Sequence, residues 1–207
     1  MTCIRRTLLL LGVLALAGSP TGAAQAQTYV TGAREFITAL ADEAMTTLTE
    51  PDLSSDERRQ RFRRLFQEGF AVAGIARFAL GRYWRKASDN ERDEYVELFE
   101  DVIVNVWADR FADYSGQKFS ITDATSTRSA REDEQAALVR SVFWSAPDSP
   151  VRIDWRVANK GEIYKITDVF VEGVSMASTH RDEFAAVVRR EGVGGLLSEL
   201  RERRDAS

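Results

Sequence analysis

The stretch YKITDVFVEGVSMASTHRDEFAAVVRRE, residues 164–191, changes from one side-chain periodicity to another. Its first half is a β-branched and aromatic run around Asp168 and Gly173, which predicts a strand with apolar side chains on both faces, inside a sheet. Its second half opens with the capping-box spacing of Thr179 and Asp182 and continues with apolar residues at helical spacing. We expect the chain to run from this strand through Gly173 into a helix.

Helical spacing dominates the chain before this stretch. A serine followed three residues later by glutamate, at Ser54 and again at Ser88, is the capping box that opens a helix. The second box precedes the longest predicted helix, from Asp89 to about Tyr114, which would measure roughly 39 Å at 1.5 Å per residue. The other predicted helices are residues 33–49, a helix from the first box to Gly69, two short helices within 70–87 and a terminal helix after Gly194.

Strand-like alternation begins after residue 117. It is cleanest at Val151, Ile153, Trp155 and Val157, which alternate with charged residues, so one face of this strand must be buried. The other predicted strands contain Phe119 and Ile121, residues 137–145 and residues 163–174, with turn chemistry at 146–150 and 159–161. This order predicts an α+β domain, a twisted antiparallel sheet of about four strands with helices packed on one face.

The first 26 residues have the pattern of a cleaved secretory signal peptide. Arg5 and Arg6 precede an apolar run at residues 8–17, and Ala24-Gln25-Ala26 is a small-x-small cleavage site. The run is too short to span a membrane, so we expect residues 27–207 to form a single mature domain that is not an integral membrane protein. Loss of the two arginines changes the net charge from −4 to −6, which disfavours nucleic acid as a partner.

Few residues suit catalysis or metal binding. His180, the single histidine, lacks a partner at the i, i+4 spacing of helical metal ligands, and the only cysteine, Cys3, lies in the signal segment. Residues 173–177, GVSMA, resemble a nucleophile elbow, but the histidine follows on the next helix instead of a later loop, so Ser175 is interpreted as a turn or cap residue. Asp168 and Glu172 could form a general acid–base pair, although carboxylates are also common at strand ends.

Two surface features remain open from the pattern alone. Arg77, Arg82, Arg85 and Lys86 form a basic run without an interleaved acid, which is either a solvated face or a docking patch for an acidic partner or a lipid head group. The apolar stripe of the long helix and the apolar face of the 151–157 strand could be each other's core or could line a cavity, and periodicity favours the core.

Several short motifs follow one another along the chain: Ile75-Ala76-Arg77, Leu80-Gly81, Trp84-Arg85, residues 91–99, Tyr114-Ser115-Gly116, the D-V-x-x-E-G-V-S motif at 168–175, Arg181-x-x-Phe184 and G-x-x-x-L at 192–196. In this order and spacing they resemble the motifs of the MlaC (toluene-tolerance) family of periplasmic phospholipid-binding proteins. The resemblance covers about residues 30 to 204. His180 departs mildly from it, because this position is more variable and often aromatic in the family.

The resemblance implies a periplasmic carrier that shuttles glycerophospholipid between an outer-membrane lipoprotein–porin complex and an inner-membrane ABC transporter with an MCE-domain ring. It implies no cofactor, because the phospholipid is cargo, and a pocket for acyl chains between sheet and helices. The residues expected to line this pocket, chosen by alternation, are Phe99, Val102, Ile103, Val106, Tyr114, Val139, Phe143, Val151, Ile153, Trp155, Val171, Val174 and Met176.

Two other classes of protein stay open at this point. A secreted enzyme acting on a small apolar ligand would need a polar constellation inside the pocket. An adaptor without lipid would have a closed core.

Overall fold

A computed structural model of the chain describes residues 21–50, 52–111, 118–128, 135–146, 149–160 and 163–206. The helices are α1 (Thr21–Leu48), α2 (Ser55–Gly69), α3 (Val72–Leu80), α4 (Asp89–Ala108) and α5 (Met176–Asp205), with short 3₁₀ helices at Gly81–Arg85 and Asp109–Phe111. The strands are β1 (Lys118–Thr127), β2 (Gln135–Ala146), β3 (Ser149–Lys160), β4 (Ile163–Val171) and β5 (Val174–Ser175).

The five strands form an antiparallel meander in the order β1-β2-β3-β4-β5. The predicted α+β architecture is confirmed, with five strands instead of about four because the last strand has only two residues. The free edge of β4 is partly covered, since the amide N–H of Ala71 donates to the carbonyl of Ile166 at 2.9 Å just beyond α2. Lys165 donates to the carbonyl of Gln67, so β4 also caps the end of α2.

The predicted helix starts at Ser54 and Ser88 are confirmed. In each capping box the serine side chain accepts from the backbone N–H of the glutamate three residues on, and the glutamate accepts from the serine backbone. These hydrogen bonds lower the pKa of Glu57 and of Glu91. The boxes satisfy N–H groups that the first helical turn leaves without partners.

The change from strand to helix near Ser175 is as expected, but the prediction of an uninterrupted strand through Gly173 and of a capping box at Thr179 is wrong. Glu172 and Gly173, with φ of 50° and 82°, form a two-residue turn that reverses the chain into β5. Positive φ at both central residues is the mark of a tight hairpin turn, and glycine adopts it without strain. The helix then begins at Met176, with Ser175 as its N-cap.

Helix lengths also differ from the predictions. Helix α1 starts at Thr21, twelve residues before the predicted start, and the long helix α4 ends at Ala108 before a 3₁₀ turn. The predicted division of the C-terminal region into two helices is confirmed, because α5 is interrupted at Gly192, whose φ of 76° and ψ of −179° are not helical. Tyr114 and residues 147–148 and 161 of the predicted turns lie outside the described residues, whereas residues 149–150 and 159–160, also predicted as turns, belong to β3.

Helix α1 lies against the sheet so closely that Gly32 touches the ring of Tyr164. A Cβ at Gly32 would overlap the Tyr164 hydroxyl, whereas a Cβ at Gly74, in α3, would meet only the Ala71 Cβ at 3.7 Å. We expect Gly32→Ala to lower the free energy of unfolding by about 1–3 kcal/mol through overpacking. The matched change Gly74→Ala should raise it by about 0.5–1 kcal/mol, because alanine favours the helix.

Urea unfolding of both variants tests this contact. Equal effects of the two substitutions would contradict the close approach of α1 to β4.

Candidate functional site

One face of the sheet is apolar across four strands. The register places Phe143 opposite Val151, and Ile153 opposite Val171, with their side chains on the same face. We call this the inner face; across β1 to β4 it comprises Phe119, Ile121, Ala124, Ala137, Val139, Ser141, Phe143, Val151, Ile153, Trp155, Val157, Tyr164, Ile166, Val169 and Val171. The opposite face carries Arg140, Arg152 and Arg156, so the charged residues of β3 point away from the apolar side.

Helix α1 covers one half of the inner face. Tyr29 stacks on Tyr164 with ring centroids 5.5 Å apart and donates its hydroxyl to the carbonyl of Val157 at 2.7 Å. Farther along α1, Arg34 donates to the carbonyl of Ile121 at 3.1 Å, so the helix crosses from β4 towards β1. The buried core beneath it comprises Tyr29, Val30, Ala33, Ile37, Ala137, Val139, Val157 and Ile166.

The other half of the inner face is apolar and only half-buried. Phe143, Val151, Ile153 and Val171 are partly exposed, and in the described part of the chain they belong to neither of the two buried cores. Phe119 and Trp155 border them and also pack against the α1 core. We call these six residues the open apolar face. Interstrand spacings of about 4.8 Å give it a width of roughly 14 Å over four strands.

The polar side-chain atoms of Ser141 and Trp155 on the inner face are hydrogen-bonded within the sheet. Ser141, 1% exposed, donates its hydroxyl to the carbonyl of Ile153 at 2.6 Å and accepts from the Trp155 indole N–H at 3.0 Å. The indole is fixed further by an edge contact with Phe119, with ring centroids 6.5 Å apart. A ligand above Trp155 therefore meets apolar carbon atoms and an oriented ring, with no unpaired donor from these groups.

A second, separate core holds the helices together. It joins α3, α4 and α5 through Tyr95, Phe99, Phe184 and their neighbours, and Tyr95 donates to the carbonyl of Ala76 at 3.0 Å. Burial raises the pKa of the Tyr95 hydroxyl far above its usual value. The helices meet the sheet on this side mainly at β4, which contacts α3 and α5 of the helical core and also α2. Helix α4 packs on the other helices, so the helical core and the open apolar face are distinct layers.

The predicted lining residues do not share a single environment. Phe143, Val151, Ile153, Trp155 and Val171 come together on the open apolar face, and Val139 lies beneath α1. In α4, Phe99 is buried in the helical core, Val102 and Ile103 pack against its edge, and Val106 is 44% exposed. Val174 is 55% exposed on β5, Met176 is half-buried at the start of α5, and Tyr114 lies outside the described residues.

Sequence reasoning missed Phe119, Val169 and Ser141 as members of the inner face. Phe119 and Ile121 alternate in the sequence and could have been placed by that signal. Ser141 lies two residues from Val139 and from Phe143, so its face follows from period two, but its polarity hides it. Val169 lies beyond an extra residue in β4 between the partners of Arg156 and Val157, and this bulge shifts the alternation.

The residues considered for catalysis have structural roles. Asp168 is 8% exposed, and its carboxylate accepts from the N–H of Val169 and of Ala177 and from the Ser175 hydroxyl at 2.7 Å. Ser175 in turn accepts from the N–H of Ser178 at 3.0 Å as the N-cap of α5, so its predicted role as a cap is confirmed. Glu172 pairs with Arg152 on the surface; hydrogen bonds from the Arg152 backbone and side chain lower the pKa of Glu172.

His180 packs between aromatic rings. Its ring lies 5.6 Å from that of Phe184 and 6.0 Å from that of Phe99, and its Nδ1 is 3.6 Å from a Glu183 oxygen, too long for a hydrogen bond. It lies in the second turn of α5, whereas the sequence placed it at the helix start. Within the described ranges, no three His, Cys, Asp or Glu side chains are grouped to hold a metal ion, and none of the helices has the length and apolar character to cross a membrane.

Comparison with known proteins identifies the family. The MlaC protein family profile matches residues 38–202. The chain belongs to the MlaC family. MlaC proteins are lipid-binding transport proteins and not enzymes, which agrees with the structural roles of Asp168 and Ser175.

Two named relatives and one solved structure resemble this chain. The intermembrane phospholipid transport system binding protein MlaC of Haemophilus influenzae is 22% identical over 59% of this chain and 57% of its own length. Toluene tolerance protein ttg2D of Pseudomonas putida is 22% identical over 54% of this chain and 49% of its own length. The chain thus spans about half the length of these relatives.

The solved structure is a phospholipid-binding protein from Ralstonia solanacearum in complex with a phospholipid. The TM-score is 0.70 at 24% sequence identity, with 84% of this chain and 97% of the other covered. This likeness shows that the two proteins share a fold.

Asp168 should matter for stability. We expect Asp168→Ala to lower the free energy of unfolding by about 2–4 kcal/mol, because the Ala177 N–H and the Ser175 hydroxyl lose a buried acceptor. Glu172→Gln, which removes an exposed charge from the same strand end, should change it by less than about 1 kcal/mol. Urea unfolding measures both; a neutral Asp168→Ala would refute the capping role.

Proposed function

We propose that this protein is a periplasmic phospholipid carrier whose open apolar face holds acyl chains. The observation that carries the proposal is the half-buried apolar half of the inner face, which α1 leaves uncovered. It would be favourable to bury the surface that remains exposed on Phe143, Val151, Ile153 and Val171. An acyl chain is an apolar ligand that could do so. Membership of the MlaC family and the named relatives support the same reading.

The physical need for such a surface is large. Each CH₂ group of an acyl chain that leaves a bilayer costs about 0.8 kcal/mol in water, so a diacyl lipid cannot cross an aqueous space unaided. A rigid sheet face with satisfied polar atoms replaces the bilayer without a desolvation cost at Ser141 or Trp155. The residues proposed to contact the chains are the six of the open apolar face, and Val102, Ile103 and Met176 are proposed as further contacts from the helices; Phe99 and Val139 are already buried in the two cores.

The finer proposal concerns the path of the lipid. We infer transfer between an outer-membrane lipoprotein–porin complex and an inner-membrane ABC transporter with an MCE-domain ring, which would maintain outer-membrane lipid asymmetry. The relative named as an intermembrane transport binding protein supports this reading. The predicted signal peptide, residues 1–26, also supports it. Cleavage there would keep Tyr29, a core residue of α1, in the mature chain, two positions after the expected start at Gln27. Partners at each membrane would change the affinity of the protein for phospholipid and so set the direction of lipid transfer.

Lipid content tests the carrier proposal. We expect native mass spectrometry of residues 27–207, purified from the periplasm without detergent, to show bound diacyl phospholipid. Val151→Glu should reduce the bound fraction at least about tenfold, since a buried charge beside an acyl chain costs several kcal/mol. Val142→Glu is the matched control: Val142 is also partly buried, but its β2 side chain lies on the opposite face, beside Arg152.

A wild-type protein that carries no lipid and takes none from vesicles would contradict the carrier proposal. Equal loss in the Val151 and Val142 variants would contradict the placement of the site.

A further inference from the structure

Six cations converge on the side of the helical layer formed by α3, the following 3₁₀ helix and α5. We call them the basic cluster: Arg77, Arg82, Arg85, Lys86, Arg181 and Arg189. Helix α5 packs against both α3 and the 3₁₀ helix. The Arg181 guanidinium lies over the Phe78 ring of α3 and against Gly81 of the 3₁₀ helix, so the cations of the two segments share one side of the helical layer.

The cluster lacks acidic partners. Several arginines elsewhere pair with carboxylates; Arg63, for example, pairs with Glu100 at 2.8 Å and with Asp101 at 2.7 Å. In contrast, none of the six cluster cations forms an ion pair with a carboxylate in the described part of the chain. All six side chains are exposed, so their positive charges face the solvent.

Four of the six cations lie over aromatic rings instead, namely Arg77, Arg82, Lys86 and Arg181. The guanidinium of Arg77 is 5.8 Å from the Trp84 ring centre, and that of Arg181 is 5.0 Å from Phe78. Phe78 itself is 44% exposed, a high value for a large apolar side chain. Positive charges and aromatic side chains therefore alternate on this surface, as they do on proteins that bind the interfacial region of a membrane.

A surface groove runs through the cluster. It has a volume of about 310 Å³ and is lined by Gly74, Arg77, Phe78, Gly81, Trp84 and Arg85. Gly81 has φ of 59° and lies against Arg181, where a Cβ would approach Nε to 3.1 Å. The groove is open and flanked by two guanidinium groups, so it suits a phosphate group and is separate from the open apolar face.

The positive charges of the cluster also affect the pKa of the neighbouring Tyr83. Arg82 donates to the Tyr83 hydroxyl at 2.9 Å, and this bond, with the charges of Arg82, Arg189 and Lys86, lowers the pKa of Tyr83. Arg189 of α5 therefore acts on the same hydroxyl group as Arg82 and Lys86.

We propose that the basic cluster docks on the anionic surface of a phospholipid bilayer, with arginines on lipid phosphates and with Phe78 and Trp84 at the head-group level. Guanidinium forks match phosphate geometry, and each cation near an anionic leaflet contributes favourably within a Debye length. The rest of the acidic chain is repelled by such a surface, so the cluster orients the protein. Interleaved aromatic rings favour a lipid interface over an acidic protein. The inference rests on the proposed carrier function.

Vesicle co-sedimentation of residues 27–207 tests this docking. We expect binding to vesicles of phosphatidylcholine with about 30% phosphatidylglycerol, little binding to phosphatidylcholine alone, and loss in about 0.5 M NaCl. Arg77→Glu combined with Arg85→Glu should weaken binding at least about tenfold. The control is Arg64→Glu combined with Arg128→Glu, which makes the same charge change at exposed sites outside the cluster and should stay within about twofold of wild type.

The outcomes separate this inference from the carrier function. Cluster variants that keep their thermal stability and bound phospholipid but lose anionic vesicles support the docking. Wild-type protein that ignores both kinds of vesicle, or equal loss in the control, overturns it and leaves an acidic protein surface as the occupant. Absence of bound phospholipid in wild type would contradict the carrier proposal instead, whatever the vesicle result.

Discussion

The packing of α1 on the sheet is the constraint on which the site depends. The helix is fixed by Tyr29 at Val157 and Tyr164 and by Arg34 at Ile121, so it crosses the inner face diagonally. One helix is too narrow to cover four strands of this length, because it is only about 10–12 Å across with its side chains. The sheet is therefore completed as a core on one side of α1 and left apolar and half-buried on the other.

The arrangement of two cores follows from the same constraint. The helical core of α3, α4 and α5 closes on itself and meets the sheet mainly at β4. A single merged core would have filled the open apolar face with side chains and excluded a ligand. Two cores joined at one strand keep the sheet rigid while leaving a surface that a ligand can complete, which suits binding without catalysis.

Local signals in the sequence predicted local structure well. The capping boxes at Ser54 and Ser88 fixed two helix starts, and the alternation from Val151 to Val157 assigned the correct face of β3. The turn at Glu172 and Gly173 was missed because its first residue is neither Asn nor Asp, the usual residue types at that position. Phe99 shows a further limit: its helical period marks it as buried, but only tertiary packing decides which layer buries it. The open half of the sheet depends on where α1 lies, which no local pattern encodes.

The most direct test of the central claim is a photo-crosslinking map. The mature protein would be loaded with a phospholipid that carries a diazirine in its acyl chain, irradiated, and digested for mass spectrometry. We expect adducts on β3 to follow period two, at Val151, Ile153 and Trp155, with few at Arg152, Asp154 or Arg156. Adducts only at Arg152, Asp154 and Arg156, or no adducts at either set of residues, would contradict binding of lipid on the open apolar face.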